Sequence, residues 1–450
     1  MSVNVSGVKR ELGMRDVTLL AIACVVGPRW IAAAAHAGPG TIVLWLVAAV
    51  LFLVPLAIAV AALTVRHPQD GGLYVWTRAD FGPWNAFLAF WVYWMGIAFW
   101  FPSAALFYVS ITLSAMGVKA SPALLIGVSL ATLWIALGTN MVGVRIGKWT
   151  ENVGATAAWV LGVLLMALAV IVGKQRGSAT QLDLAPKFDW ETIAFWSGIA
   201  YAMSGLEMVG LMGGEIRDPA RVLPRAAWIS SLFATVFYAG STLALLILLP
   251  AAKISEIDGL AQAGGAAAAV LGGPFGGHWI APAIALLVLL SAIGQFGGLG
   301  ATVSRLPFAA GTDHLLPRIF GKLHPRWGTP WISMLVLGGV ATTLLIVTQF
   351  GDTIRAGYQT MVSLMVIAGF LPYLYIFGSA WKLGARTSAV CGSFVTAVAI
   401  LASIVPTAEI HRVWLFEGKL AAGTVAVIGS AGLAYRRSGG RNSRPSAGES

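Results

Sequence analysis

An all-α integral membrane protein of about twelve transmembrane helices is predicted by three features: how apolar the chain is, how its apolar residues are grouped, and how little charge interrupts them. Hydrophobic residues make up 58% of the 450 and charged residues only 10%, where a soluble domain carries roughly 25% charged residues. Mean hydropathy is +0.81. The apolar residues fall in runs of about 20, the length that crosses a hydrocarbon core of roughly 30 Å at 1.5 Å per helical residue. A β-barrel is the other fold that satisfies its backbone inside lipid, and it would show short alternating segments with a polar inner face. Residues 157–172 and 284–293 show no alternation, so the runs are helices.

Taken in order, the spans lie near 17–36, 41–64, 84–114, 122–142, 152–173, 192–213, 226–250, 278–304, 330–349, 357–380, 387–406 and 415–435. Residues 1–16 are polar and mixed in charge, and the run that follows has no small-residue cleavage pattern, so it is a retained first span. With the N-terminus in the cytoplasm, the inner loops carry the excess of Lys and Arg, which places both termini inside a multi-pass protein of the plasma or inner membrane. Residues 436–450, rich in Gly, Ser and Arg, read as a disordered cytoplasmic tail. The long outer loop near 174–191 separates five spans (17–175) from the next five (190–380), with two more at 386–435. A five-span unit must invert when repeated, so the two halves are expected to be related as inverted repeats.

The net charge of +11 would suit nucleic acid in a soluble protein. In a membrane protein the excess belongs to the loops, and no nucleic-acid partner is expected. The two cysteines, Cys24 and Cys391, sit in apolar runs and form no disulfide framework. None of the six histidines pairs at metal-ligand spacing, and no phosphate-binding Gly-x-x-x-x-Gly-Lys-Ser/Thr loop is present, so neither a metal nor a nucleotide cofactor is expected.

Two spans carry the features that point to chemistry. Span 1 is interrupted by Val26-Gly27-Pro28-Arg29-Trp30; Pro28 lacks a backbone donor and Gly27 weakens the helix beside it. Freed carbonyls are tolerated at that depth only against protein or a water-filled cavity. Span 6, the first of the second half, holds Tyr201-Ala-Met-Ser204-Gly205-Leu-Glu207 at mid-depth. Interrupted helices at corresponding positions of two halves mark the central site of a transporter, with helix N-termini for a carboxylate and exposed carbonyls for an ammonium or cation. A simple structural kink is the alternative. Arg29 and Glu207 are the ionisable residues expected deepest in the membrane, where each needs a partner. Arg29 could meet a substrate carboxylate and Glu207 carry a coupling proton, or the two could pair with each other. Tyr93, Ile97 and Phe101 in the aromatic third span and Gln295 in the eighth are further pathway candidates; the Gly297-Gly298-Leu-Gly300 run indicates close helix packing.

These features together resemble the amino acid–polyamine–organocation permease superfamily over roughly residues 10–380. The resemblance rests on Leu12-Gly13-Met-Arg-Asp16; on Ala37-Gly38-Pro39 with Trp45; on the loop His67-Pro68-Gln-Asp-Gly71-Gly72-Leu-Tyr74-Val-Trp76 with Phe81-Gly82-Pro83; on Gly205-Leu-Glu207 with Glu215-Ile-Arg-Asp-Pro219; and on Ser304-Arg305 through Asp313-His-Leu-Leu-Pro317 to Thr329-Pro330. It implies a LeuT-type fold of two inverted five-helix repeats plus two C-terminal helices, and transport by alternating access. It also implies a substrate on the unwound parts of helices one and six, here Gly27, Pro28, Ser204 and Gly205, with Tyr201 at the position of an aromatic gate. The chain departs from the family in three places. Pro28 and Arg29 replace the last two residues of the usual Gly-Ser-Gly or Gly-Thr-Gly, Ala62 stands where relatives often carry Glu, and 157–172 lacks the Lys that some proton-coupled members have in helix five.

The function expected is secondary transport of an amino acid or related small amine by proton symport or exchange. Two alternatives are a transport-inactive sensor or subunit with the same fold, and a membrane enzyme, for which Glu207 has no acid–base or metal partner in its register.

Overall fold

The computed structural model describes residues 12–67, 71–118, 121–186, 190–272, 279–348, 354–406, 410 and 412–437. Each apolar segment read from the sequence is helical. The first is split into α1a (Met14–Val25) and α1b (Arg29–His36), bent by 42°. Then come α2 (Thr41–Arg66), α3 (Gly72–Ala115), α4 (Pro122–Met141) and α5 (Val144–Arg176). The sixth is split into α6a (Trp190–Ala202) and α6b (Leu206–Gly210). They are followed by α7 (Pro219–Leu248), α8 (Ile280–Val303), α9 (Trp331–Thr348), α10 (Ile354–Lys382), α11 (Arg386–Ala402) and α12 (Val413–Arg437). Among the described residues, 8 helices are long and apolar enough to cross a membrane unaided, and the bent pair α1a–α1b makes up to 9. The interrupted α6 and the shorter α9 and α11 account for the other apolar segments.

Helix packing repeats with an offset of five. The most extensive interfaces join α3 to α10 and α5 to α8, and adding five to one pair, with the count returning from ten to one, produces the other. The same offset relates α3–α9 to α8–α4, α1a–α7 to α6b–α2, and α1a–α8 to α6b–α3. That is the contact pattern expected of a five-helix unit repeated once. Both principal interfaces are built on paired glycines, as expected where apolar side chains gain nothing over lipid and close backbone packing drives association. A Cβ on Gly154 of α5 would lie 2.4 Å from Gly294 Cα of α8, and one on Gly96 of α3 would lie 2.7 Å from Gly369 N of α10.

Several boundaries differ from the sequence reading. The stretch read as a loop before span 3 is helical from Gly72, because Leu73, Tyr74, Trp76 and Thr77 bury one face while Arg78 stays exposed. Gly82, at φ 85°, then breaks the helix before Pro83 restarts it along the span. Tyr74 donates to Asp313 at 2.6 Å and Arg78 pairs with the same carboxylate, so two of the separated motifs hold each other. A further helix, Gly259–Leu271, lies between α7 and α8 in a stretch read as loop. α12 continues to Arg437, and residues 438–450, where the tail was expected, lie outside the described residues.

The close α5–α8 crossing has a testable consequence. Gly154→Ala is expected to lower the thermal stability of the detergent-solubilised protein by the about 1–3 kcal/mol of an overpacked core. Gly127→Ala in α4, where an added Cβ meets nothing within 4 Å, is expected to leave it unchanged or raise it slightly. Melting both variants by size-exclusion recovery after heating compares them directly.

Candidate functional site at the crossing of two broken helices

In a continuous helix the carbonyls of residues 24 to 26 would accept from the amides of residues 28 to 30. Pro28 has no N–H, and Val26 turns extended at φ −87° and ψ 109°, so the ladder stops. The freed groups are met by side chains from the second half. Tyr238 of α7 donates to the Val25 carbonyl at 2.7 Å and accepts from the Gly27 amide at 2.8 Å. Gln295 of α8 donates to the Val26 carbonyl at 3.3 Å while its own oxygen accepts from Tyr108 at 2.6 Å. Tyr238 is held flat against Trp45, with centroids 4.5 Å apart at 7°, and the Trp45 indole donates to Thr242 at 3.0 Å. The break is therefore braced, as membrane depth demands.

The second break, Met203 to Gly205, lies directly against the first. Gly205 has φ 113°, a left-handed conformation that only glycine adopts without strain. A Cβ there would also sit 2.8 Å from the Cys24 carbonyl, the acceptor that Pro28 leaves without an intrahelical donor. Glu207, two residues on, is fully buried. One of its oxygens accepts from the Gly205 amide at 3.1 Å and the other from the Tyr93 hydroxyl of α3. Tyr373 of α10 is within hydrogen-bonding reach of Glu207 and Ser204, and also accepts from the Gly205 amide at 3.3 Å. Glu207 thus joins α6b to α3 and α10, the α3–α10 pair forming one of the two principal interfaces.

Arg29 does not pair with Glu207. Among the described residues no carboxylate lies within 4.0 Å of its guanidinium. It is 2% exposed. Nη1 donates to Ser103 of α3 at 3.0 Å, Nη2 to the Met365 sulfur of α10 at 3.4 Å, and the cation lies 4.4 Å from the Trp30 ring centroid and 5.5 Å from that of Trp100. Tyr201, tilted against Trp30 at 6.4 Å and edge-on to Phe370 at 5.4 Å, feels the fields of both Arg29 and Glu207.

The sequence-predicted residues Gly27, Pro28, Arg29, Tyr201, Ser204, Gly205 and Glu207 therefore converge, with Tyr93 and Gln295 bonded into the same cluster. Phe101 stacks on Phe296 at 5.6 Å, beside Gln295, and Ile97 is buried in α3 one turn beyond Tyr93. Tyr238, Tyr373, Ser103 and Met365 were not singled out from the sequence. A lone hydroxyl or thioether in an apolar run signals only that it needs a partner. Arg29 and Glu207 are also not the only buried charges: Glu215 and Arg305 form an ion pair in which each is 5% exposed, and Glu151 is 7% exposed. These three lie just outside the spans read from the sequence, Glu151 two turns inside α5, and tertiary packing encloses them.

The crossing makes two substitutions informative. Tyr238→Phe leaves the Gly27 amide and Val25 carbonyl unmet, and a buried unsatisfied group costs about 1–3 kcal/mol. Gly205→Ala adds backbone strain and a clash with the Cys24 carbonyl. Both are expected to lower the melting temperature, with Gly205→Ala the more severe; wild-type stability in both would show that the breaks are not braced in this way.

A model of the amino acid permease family matches residues 12–416. The chain is similar to an uncharacterised transporter of Legionella pneumophila, 25% identical over 385 residues covering 83% of this chain and 81% of that one. It is also similar to a probable agmatine/putrescine antiporter of Lactococcus lactis, 25% identical with 81% and 78% covered, and to a serine/threonine exchanger of Bacillus subtilis, 25% identical with 76% and 78% covered. Since the family match runs through both broken helices and all the elements that brace them, the chain belongs to the amino acid permease family.

Proposed function

We propose that the protein is a secondary transporter of amino acids or related small amines, working by alternating access around the crossing of α1 and α6, through exchange or proton symport. The observation that carries this is the pair of abutting helix breaks at equivalent positions of two halves. Such a crossing offers a small polar solute backbone amides and carbonyls inside an otherwise apolar bundle. The substrate is assigned to the backbone of Gly27, Pro28, Ser204 and Gly205, with Tyr201 as its aromatic wall. The relatives named as an antiporter and an exchanger support exchange as one mode. Both termini are assigned to the cytoplasm from the loop charges.

Glu207 is assigned the coupling role. Its carboxylate is the ionisable group nearest the second break, and it is bonded to α3 while in reach of α10. A proton gained there would turn one oxygen from acceptor to donor and weaken its hold on Tyr93 and the Gly205 amide. Protonation would then loosen the contact between α6b and the α3–α10 pair.

Reconstitution in proteoliposomes with counterflow of labelled amino acids and amines, at two pH values, tests both assignments. Saturable counterflow of at least one amino acid is expected, and no flux from any would sink the transporter assignment. Binding without flux would instead favour a transport-inactive sensor. If coupling is by proton symport, wild-type uptake rises as external pH falls, because the bound proton is co-substrate. Glu207→Gln, which stays neutral at every pH, is expected to flatten that profile; an unchanged slope would remove Glu207 from coupling.

A further inference from the structure

Arg29 occupies the first turn of α1b, immediately after the break, and its bonding is incomplete. A guanidinium has five N–H donors in a planar fork and needs acceptors for them when buried. Here one terminal nitrogen meets a neutral hydroxyl, the other meets a sulfur, which accepts weakly, and the buried Nε has no hydrogen-bond partner among the described residues. The Trp30 and Trp100 rings attract the positive charge but accept no N–H in the plane of the fork. Glu207 is bonded elsewhere, to the Tyr93 hydroxyl and the Gly205 amide.

A buried cation without an anion is costly, and the matching partner for a guanidinium edge is a carboxylate bound through two parallel N–H···O bonds. The guanidinium lies over Trp30, which in turn packs against Tyr201, next to the backbone assigned to the substrate. We propose that Arg29 is the specificity-determining residue of this site: it anchors a substrate carboxylate, so the protein takes solutes that carry a carboxylate and rejects diamines and other cationic amines without one. This rests on the assignment of α1 and α6 as the substrate site, but not on flux. It separates this chain by substrate class from the relative named as an agmatine/putrescine antiporter, because a dication entering beside Arg29 would meet a like charge with no carboxylate to offset it. It also gives Pro28 a reason. The amide missing at Pro28 is one fewer donor for a carboxylate, and the guanidinium one residue later supplies the replacement.

The test uses matched pairs that differ only by the carboxylate: ornithine with putrescine, arginine with agmatine, and threonine and serine with their methyl esters. Binding to the purified full-length protein in nanodiscs is measured by calorimetry, independently of transport. At least one acid is expected to bind tighter than its carboxyl-free partner by about 10- to 100-fold, the range for a charge-assisted hydrogen-bonded pair. Arg29→Gln is expected to erase that preference. Arg29→Lys, which keeps the charge but loses the fork, is expected to weaken the acid while still excluding the diamine, and it serves as the folded control should Arg29→Gln fail to accumulate. Equal binding of acid and amine by the wild type, an unchanged ratio in both variants, or no binding of any acid would overturn the proposal. Tight acid binding without flux would uphold the anchor and sink the transporter assignment instead.

Discussion

The constraint on which the rest depends is that two backbones lose their hydrogen-bond ladders at the same depth of an apolar bundle and must be re-satisfied there. The solution is mutual. The first break takes its partners from Tyr238 and Gln295 in the second half; at the second break the Gly205 amide is met by Glu207 and Tyr373, and Glu207 is in turn held by Tyr93 from the first half. Gly205 lets the two strands touch at the Cys24 carbonyl. Both breaks make contacts with the other half of the molecule, so the crossing is a property of the packing between the halves and not of either helix.

The charges follow the same division. Separating Arg29 from Glu207 keeps each on its own break, and Tyr201 feels the field of both. A direct ion pair would have filled the crossing and neutralised both. Apart, they leave one face that seeks an anion and one carboxylate tied to α3 and close to α10. A buried ion pair does form elsewhere: Glu215 with Arg305 lies beyond α6b on a segment pinned by Leu12, whose amide donates to the Glu215 carbonyl at 3.0 Å and whose carbonyl accepts from the Arg217 amide at 2.9 Å.

The helices and both breaks were legible because their signals are local: a run of apolar residues of membrane length, and Gly-Pro or Ser-Gly inside one. Arg29 and Glu207 stood out because charge is scarce in such runs. Their separation was not legible, since a sequence states that each charge needs a partner but not which one. Tyr238 and Met365 were equally silent, being compatible with any apolar position until the fold sets them against a freed carbonyl or a guanidinium. Residues 72–81 were misread for the opposite reason: the flanking Gly71-Gly72 and Gly82-Pro83 look like loop punctuation, while burial of Leu73, Tyr74 and Trp76 against the bundle holds the stretch helical.

Substrate protection at Ser204 tests most directly whether the crossing is a binding site. In a background with Cys24 and Cys391 replaced by Ala, Ser204→Cys is alkylated in proteoliposomes with and without a bound amino acid, and Val425→Cys on the exposed face of α12 serves as reference. Labelling at 204 should slow on addition of the amino acid while labelling at 425 does not change. Equal rates at 204 with and without a solute that calorimetry shows to be bound would contradict a substrate site at the crossing of the two broken helices.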